Sequence, residues 1–294
     1  MNERDGAETG GGIQRVRAVR QVHGGRAVSD GAGVRIRRTV GLPDLDTLDP
    51  FLLLDEFRSD DATDYIAGFP DHPHRGFETV TYMLEGRIEH QDSVGNRGNL
   101  GPGWVQWMTA GRGIIHSEMP KQERGLMWGF QIWVNLPAHL KMTAPRYQDV
   151  PPEQIPEVAL DGARVKVLAG AFGGASGPVE GVATSPLFLD VSLEVGATCE
   201  ILVPRGHTAL SYTVEGALVP SPGHQPVERG QLIIFGDGDR LLLEAAGATS
   251  RCIVLAGAPL REPIARHGPF VMNTREQLEE AFEDFRRGRF IEGG

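Results

Sequence analysis

At 294 residues the chain can hold one large domain or two ordinary ones, with room for a sizeable core. Hydrophobic residues at 40 % and charged residues at 23 % exclude a disordered or fibrous chain. The formal charge of −10 argues against direct binding to a nucleic-acid backbone, and no run approaches the ~20 apolar residues of a membrane helix.

In chain order, residues 1–14 are polar and Gly-rich, and a disordered tail is expected there. No apolar stretch marks a secretory signal in Met1 to Gly12, so a cytoplasmic chain is expected. From Val34 onward short apolar runs alternate with Gly, Pro and Asp turns, and the 39 Gly and 20 Pro fit an all-β chain. Strands are predicted from Glu78 to Leu84, Trp104 to Met108, Gly129 to Leu136 and Val165 to Ala169. Leu187, Leu189, Val191, Leu193 and Val195 alternate with Asp190, Ser192 and Glu194, the pattern of a half-buried strand. Further strands are expected around residues 201–203, 210–214, 231–235, 241–243 and 252–255. Cys199 and Cys252 lie in two of these apolar runs and read as buried thiols. One helix stands out: Thr274-Arg275-Glu276-Gln277 forms a capping box, and Leu278, Ala281, Phe282 and Phe285 follow at helical spacing. Its apolar face is expected to pack on a sheet.

The chain also echoes itself. Thr81-Tyr82-Met83-Leu84-Glu85-Gly86 resembles Ser211-Tyr212-Thr213-Val214-Glu215-Gly216 at an offset of ~130, and Pro102-Gly103-Trp104 is answered by Arg229-Gly230-Gln231 at an offset of ~127. Two related β-domains are implied, at 15–145 and 160–294, with a boundary in the Pro- and Gly-rich stretch around 137–160 and the helix closing the second.

Two short pairs carry the chemistry. His72-Pro73-His74 and His116-Ser117-Glu118 each have i, i+2 spacing, so on a strand both members face one side. Brought together they offer three imidazoles and a carboxylate, a set that suits a divalent first-row metal such as iron. Glu78 shares parity with His72 and His74 and is an equal candidate for the carboxylate; parity does not choose between it and Glu118. Carried across the echo, His72 and His74 become Leu202 and Pro204, while His116 and Glu118 become Leu243 and Ala245. A metal site is therefore expected in the N-terminal half alone.

The pattern HxHx3E followed by Gly-x2-His resembles the two motifs of the cupin superfamily. The longer strings, from Asp71 to Thr79 and from Gln106 to Pro120, resemble the pirin family, as do the stretches Leu48 to Asp55, Arg261 to Ile264 and Gly268 to Thr274. The resemblance implies two cupin barrels of jelly-roll type in tandem, only the first holding metal. It implies His72, His74, His116 and Glu118 as ligands of a single Fe(II), another divalent first-row metal being the alternative, and moves Glu78 to the surroundings. It further implies quercetin 2,3-dioxygenase activity, the cleavage of a flavonol by O2 with release of carbon monoxide. Glu118 is then the candidate base and Glu78 the fallback. Phe51, Phe57, Phe77, Met83 and Met108 are candidate pocket residues. The alternative reading is a metal- or redox-dependent regulator that binds a transcription factor or a metabolic enzyme. The partners expected are thus a small flavonol-like aromatic with O2, or another protein; a monomer is expected.

Overall fold

Alternation of β-branched and polar residues between glycine turns leaves most of the chain able only to form strands, each needing a neighbour for its backbone hydrogen bonds. The computed structural model describes residues 15–290, so the expected tail at 1–14 lies outside the described residues. The strands gather into two sandwiches of one plan. In the first, a seven-stranded sheet runs Arg146–Val150, Val105–Thr109, Phe77–Glu85, Met127–Asn135, Phe51–Ser59, Val34–Val40, Arg26–Asp30. It faces a four-stranded sheet, Phe69–His74, Ile114–Pro120, Ile88–Asp92, Arg97–Leu100. In the second, the seven-stranded sheet runs Val19–Gly24, Gln231–Phe235, Thr208–Glu215, Ser250–Gly257, Leu187–Leu193, Ala163–Ala169, Glu157–Leu160. Its four-stranded partner is Thr198–Leu202, Arg240–Ala245, Ala217–Val219, Val227–Glu228. The internal echo is this repeat: Phe77–Glu85 and Thr208–Glu215 hold the same place in their sheets.

The expected division at 15–145 and 160–294 is crossed at both ends. Val19–Gly24 leaves the first half to pair antiparallel with Gln231–Phe235, while Arg146–Val150 takes the matching edge beside Val105–Thr109. Each repeat thus lends its leading strand to the edge of the other barrel's large sheet, which covers an edge that would otherwise be open. The C-terminal segment crosses back. The ribbon Ala265–His267 and Phe270–Met272 returns to the first barrel, where Val271 N–H donates to the Arg75 carbonyl (3.0 Å). Helix Arg275–Arg286, with its capping box formed at Thr274 and Gln277, packs Leu278 and Ala281 on Phe270, Met272 and Phe290. Arg75 is buried here: it pairs with Asp284 at 3.0 Å and lies over Phe290.

The two large sheets pack face to face, and a single core spans them. Val80, Tyr82, Val105, Trp107, Phe130 and Ile132 from one meet Phe188, Leu210, Tyr212, Leu232, Ile253 and Leu255 from the other. Two buried carboxylates stitch this seam reciprocally. Tyr82 Oη donates to Asp190 of the second barrel (2.5 Å), and Tyr212 Oη donates to Glu56 of the first (2.8 Å). These two tyrosines are the equivalent positions of the echo. Arg251 completes Asp190, and Arg229 with Trp128 Nε1 completes Glu56, so neither buried charge is left short of donors.

Candidate metal centre

Opposite parities of the same strands face into the barrels, and there the two repeats diverge. In the first, Phe69–His74 pairs antiparallel with Ile114–Pro120 so that His72 lies directly opposite His116. The i, i+2 rule then turns His74 to the same side. His72, His74 and His116 each present a ring nitrogen, all within 4.8 Å of one another. Their ring centroids are 4.3 to 4.9 Å apart.

Their hydrogen bonding leaves these nitrogens to a cation. His72 Nδ1 donates to the Pro70 carbonyl at 2.8 Å, which fixes its tautomer and frees Nε2. His116 Nδ1 lies 3.4 Å from His90 Nδ1, while His116 Nε2 is buried with no partner. His74 is sealed beside the Pro269 carbonyl. Burial, reinforced by neighbouring imidazoles, holds His74 and His116 well below the ordinary imidazole range, so both are neutral, the form that binds metal. A partnerless polar nitrogen out of water costs about 1–3 kcal/mol, and a bound divalent ion would supply the missing partner. The donor set fits a first-row divalent metal.

Glu118 follows His116 on the same inward face and lines the same cavity as His72 and His74. It lies outside the 4.8 Å group, its Oε1 accepting from Thr81 Oγ1 at 2.8 Å; Thr81 also contacts Gln131 Oε1 at 2.9 Å.

Glu78 does not join the site. Parity would carry it there only along an unbroken strand, and the chain breaks at Arg75-Gly76: Gly76 adopts φ +89°, and a Cβ there would sit 2.0 Å from the Val271 carbonyl. The next strand begins in the other sheet with its faces reset. Thr79 and Thr81 turn inward, and Glu78 turns to the seam, where its carboxylate accepts from Thr109 Oγ1 at 2.7 Å on the Trp107 side. Burial raises its pKa. Neither ligand nor base fits that position. Gly111, in the turn before His116, has φ +53° and abuts the Thr143 carbonyl, so the backbone bends there.

The cavity above the triad holds about 600 Å³ and is lined by Ile36, Leu53, Phe57, Phe69, Ile88 and Trp133 among its apolar walls. Of the five pocket residues named from sequence only Phe57 is among them. Phe51 belongs to the seam, Met83 and Met108 to other buried clusters, and Phe77 packs beneath His74 and Trp133. Trp133 stands edge-on to His74 at 5.2 Å. His90 was missed. It sits opposite Glu118 in the ladder and backs His116, and its place on the inward face of Ile88–Asp92 was the available signal.

The second barrel answers differently. Its ladder sets Cys199 opposite Leu243 as His72 is set opposite His116. The structural equivalents of His72 and His74 are therefore Cys199 and Ile201, not Leu202 and Pro204, since the 127 spacing and not the 130 spacing governs these strands; Leu202 is 58 % exposed. Cys199, Ile201, Leu243 and Ala245 are all buried in one apolar cluster, and both cysteines are free. Of the four, Cys199 alone could ligate a metal; burial pushes its thiol up to about 11, and the other three positions are hydrocarbon.

Two barrels of one plan, one with a histidine triad under a cavity and one filled with hydrocarbon, define a two-barrel cupin with a single metal-type centre. The chain belongs to the pirin family: the pirin profile matches residues 33–134 and that of the pirin C-terminal cupin domain matches residues 188–291. It is 50 % identical over 277 residues to a pirin-like protein of Caulobacter vibrioides, covering 94 % of this chain and 99 % of that one. It is also 50 % identical over 284 residues to a Pseudomonas aeruginosa protein provisionally named a quercetin 2,3-dioxygenase, with 94 % and 99 % covered. The crystal structure of a quercetin 2,3-dioxygenase from Acinetobacter baumannii superposes with a TM-score of 0.87 at 36 % identity, covering 94 % of this chain and 99 % of that one. Among the described residues no helix is long and apolar enough to cross a membrane.

Proposed function

We propose that the chain is a mononuclear metal dioxygenase of the quercetin 2,3-dioxygenase type, in which a flavonol and O2 yield a ring-cleaved product and carbon monoxide. The observation that carries this reading is the convergence of three imidazoles, His74 and His116 buried and His72 partly so, beside a cavity of about 600 Å³ with aromatic walls. The similarity to proteins named for that activity supports it. His72, His74 and His116 would hold the metal, Fe(II) in this proposal, and Glu118 would complete the set or remain beside it. A divalent iron there supplies Lewis acidity and one-electron chemistry toward O2.

The residues around it do the rest. Glu118 is the base for the flavonol 3-hydroxyl proton, and Thr81 orients its carboxylate by the 2.8 Å hydrogen bond. Ile36, Leu53, Phe57 and Trp133 form walls for planar rings and keep bulk water from them. The test is to purify the protein without oxygen, quantify bound metal, then add quercetin and O2 and follow flavonol bleaching with carbon monoxide. About one iron per chain, with both signals lost in His74→Ala, is the expected result. Bound metal without turnover overturns the dioxygenase reading.

A further inference from the structure

The cavity carries two arginines, and they differ in one respect. Arg38 is neutralised: its Nε and Nη2 donate to Asp55 at 2.9 and 2.7 Å, and Nη2 also reaches Asp30 at 2.6 Å. Arg266, on the ribbon Ala265–His267, has no carboxylate in direct contact among the described residues. Its Nη1 donates to the Leu52 carbonyl at 2.9 Å, and that is its one protein hydrogen bond among them. Asp46, Asp55 and Asp30 are close enough to be felt, but Asp55 and Asp30 are already claimed by Arg38. The guanidinium lies 4.8 Å from the centroid of Trp133, half-buried and lining the cavity. Trp133 in turn stands edge-on to His74 at 5.2 Å. One indole therefore separates the triad from a cation with several N–H groups to spare.

From this placement we infer that Arg266 and Trp133 form a specificity shelf for the far end of the substrate, which is a planar aromatic bearing a second, anionic oxygen: a carboxylate or an ionised phenol. The inference rests on the proposed reading of the triad as the other anchor. With its chelating end at the histidines, a fused-ring ligand extends along the indole and sets its distal oxygen at the guanidinium. A planar, poorly hydrated cation on an aromatic face is suited to a ring-borne anion, because it offers paired donors without a large desolvation cost. A lysine offers a point charge only. Apolar flavonols lacking the distal group would leave the spare N–H groups to water and gain nothing from the shelf.

The experiment is equilibrium binding by calorimetry without oxygen, so that no turnover is involved. The probes are 3-hydroxyflavone, which has no distal acid, and its 4′-carboxylate. The wild-type protein is expected to prefer the carboxylate at least about tenfold, the scale of one charge-assisted hydrogen bond out of water. Arg266→Gln erases that preference while leaving 3-hydroxyflavone within about twofold, and Arg266→Lys, the variant to use if the glutamine protein melts early, retains part of it. No preference in the wild type, an unchanged preference in Arg266→Gln, or equal loss for both probes overturns the shelf; equal loss marks a structural role. If neither flavone binds the wild type, the flavonol reading fails separately, and 2-naphthoate decides the shelf alone. Binding that Arg266→Gln abolishes upholds it, and anything else overturns it.

Discussion

The two barrels share strand order, sheet pairing and the seam between them, yet their interiors are opposites. Where the first places His72 against His116, the second places Cys199 against Leu243. The first interior holds a cavity walled by Thr81, Gln131, Trp133 and the Arg38–Asp55 pair, in which burial pushes Asp55 up to about 6. The second is closed by Leu189, Val191, Ile201, Leu241 and Val254. The backbone does not require a site, then; a barrel of this plan is stable when its middle is hydrocarbon. The first barrel gives up that packing and retains its shape because the second barrel and the C-terminal ribbon support it from outside. Lys141 shows how: buried at the junction, its Nζ donates to the carbonyls of Gly76 and Val271 and to Asn135 Oδ1, clamping the ribbon to the turn that follows His74. Burial lowers this lysine to about 8.

The comparison breaks most sharply at the ligands. His116→Ala is expected to weaken metal binding by well over 100-fold, since losing even an outer partner of a ligand costs about 10- to 100-fold. The metal-free melting temperature should fall only modestly, as the truncation also removes a buried ring nitrogen that has no partner. Metal titration alongside thermal melts checks both. The equivalent truncation in the second barrel, Leu243→Ala, should reverse the pattern, with metal affinity unchanged and stability reduced by about 2–5 kcal/mol in denaturant unfolding. Next come the reciprocal tyrosines. Tyr82→Phe and Tyr212→Phe each remove one donor from a buried carboxylate and should each cost about 1–3 kcal/mol, of similar size because Asp190 and Glu56 are similarly served.

A pH series sharpens the contrast further. His74 and His116 stay neutral in the folded protein because burial disfavours their charged forms, whereas in the unfolded chain they titrate near the ordinary value of 6.5. Below about 6.5 the unfolded state binds more protons, so the stability of metal-free protein must fall as pH falls through that range. Chemical denaturation at pH 7.5 and 5.5 should show the loss, and His74→Phe should lessen it. The smallest effect belongs to Glu78→Gln. Facing the seam, it should leave metal affinity and flavonol turnover within about twofold of wild type; a large loss of either would return Glu78 to the site.

Much of this was legible from residue spacing, for a physical reason. A strand fixes side-chain direction at a period of two, so His72, His74 and His116 were bound to converge once their strands paired, with Glu118 on the wall of the same cavity. The capping box at Thr274 was legible because it is local. Glu78 was misread because parity survives only within one strand, and Gly76 ends it. The edge exchange of Val19–Gly24 was hidden because pairing over 200 residues leaves no local trace. His90 and Arg266 carry no motif; only the fold brings them to the cavity wall or behind it. The equivalents of His72 and His74 were misplaced by three residues because the two echoes differ in spacing, and the ladder decides which applies.

The central claim is that one barrel binds metal and its twin does not. Anomalous diffraction at the metal edge, on crystals of protein loaded with a divalent first-row metal, tests it directly. A single peak among His72, His74 and His116, within reach of Glu118, is the result predicted. A peak in the second barrel near Cys199, or none at the triad, would contradict the account.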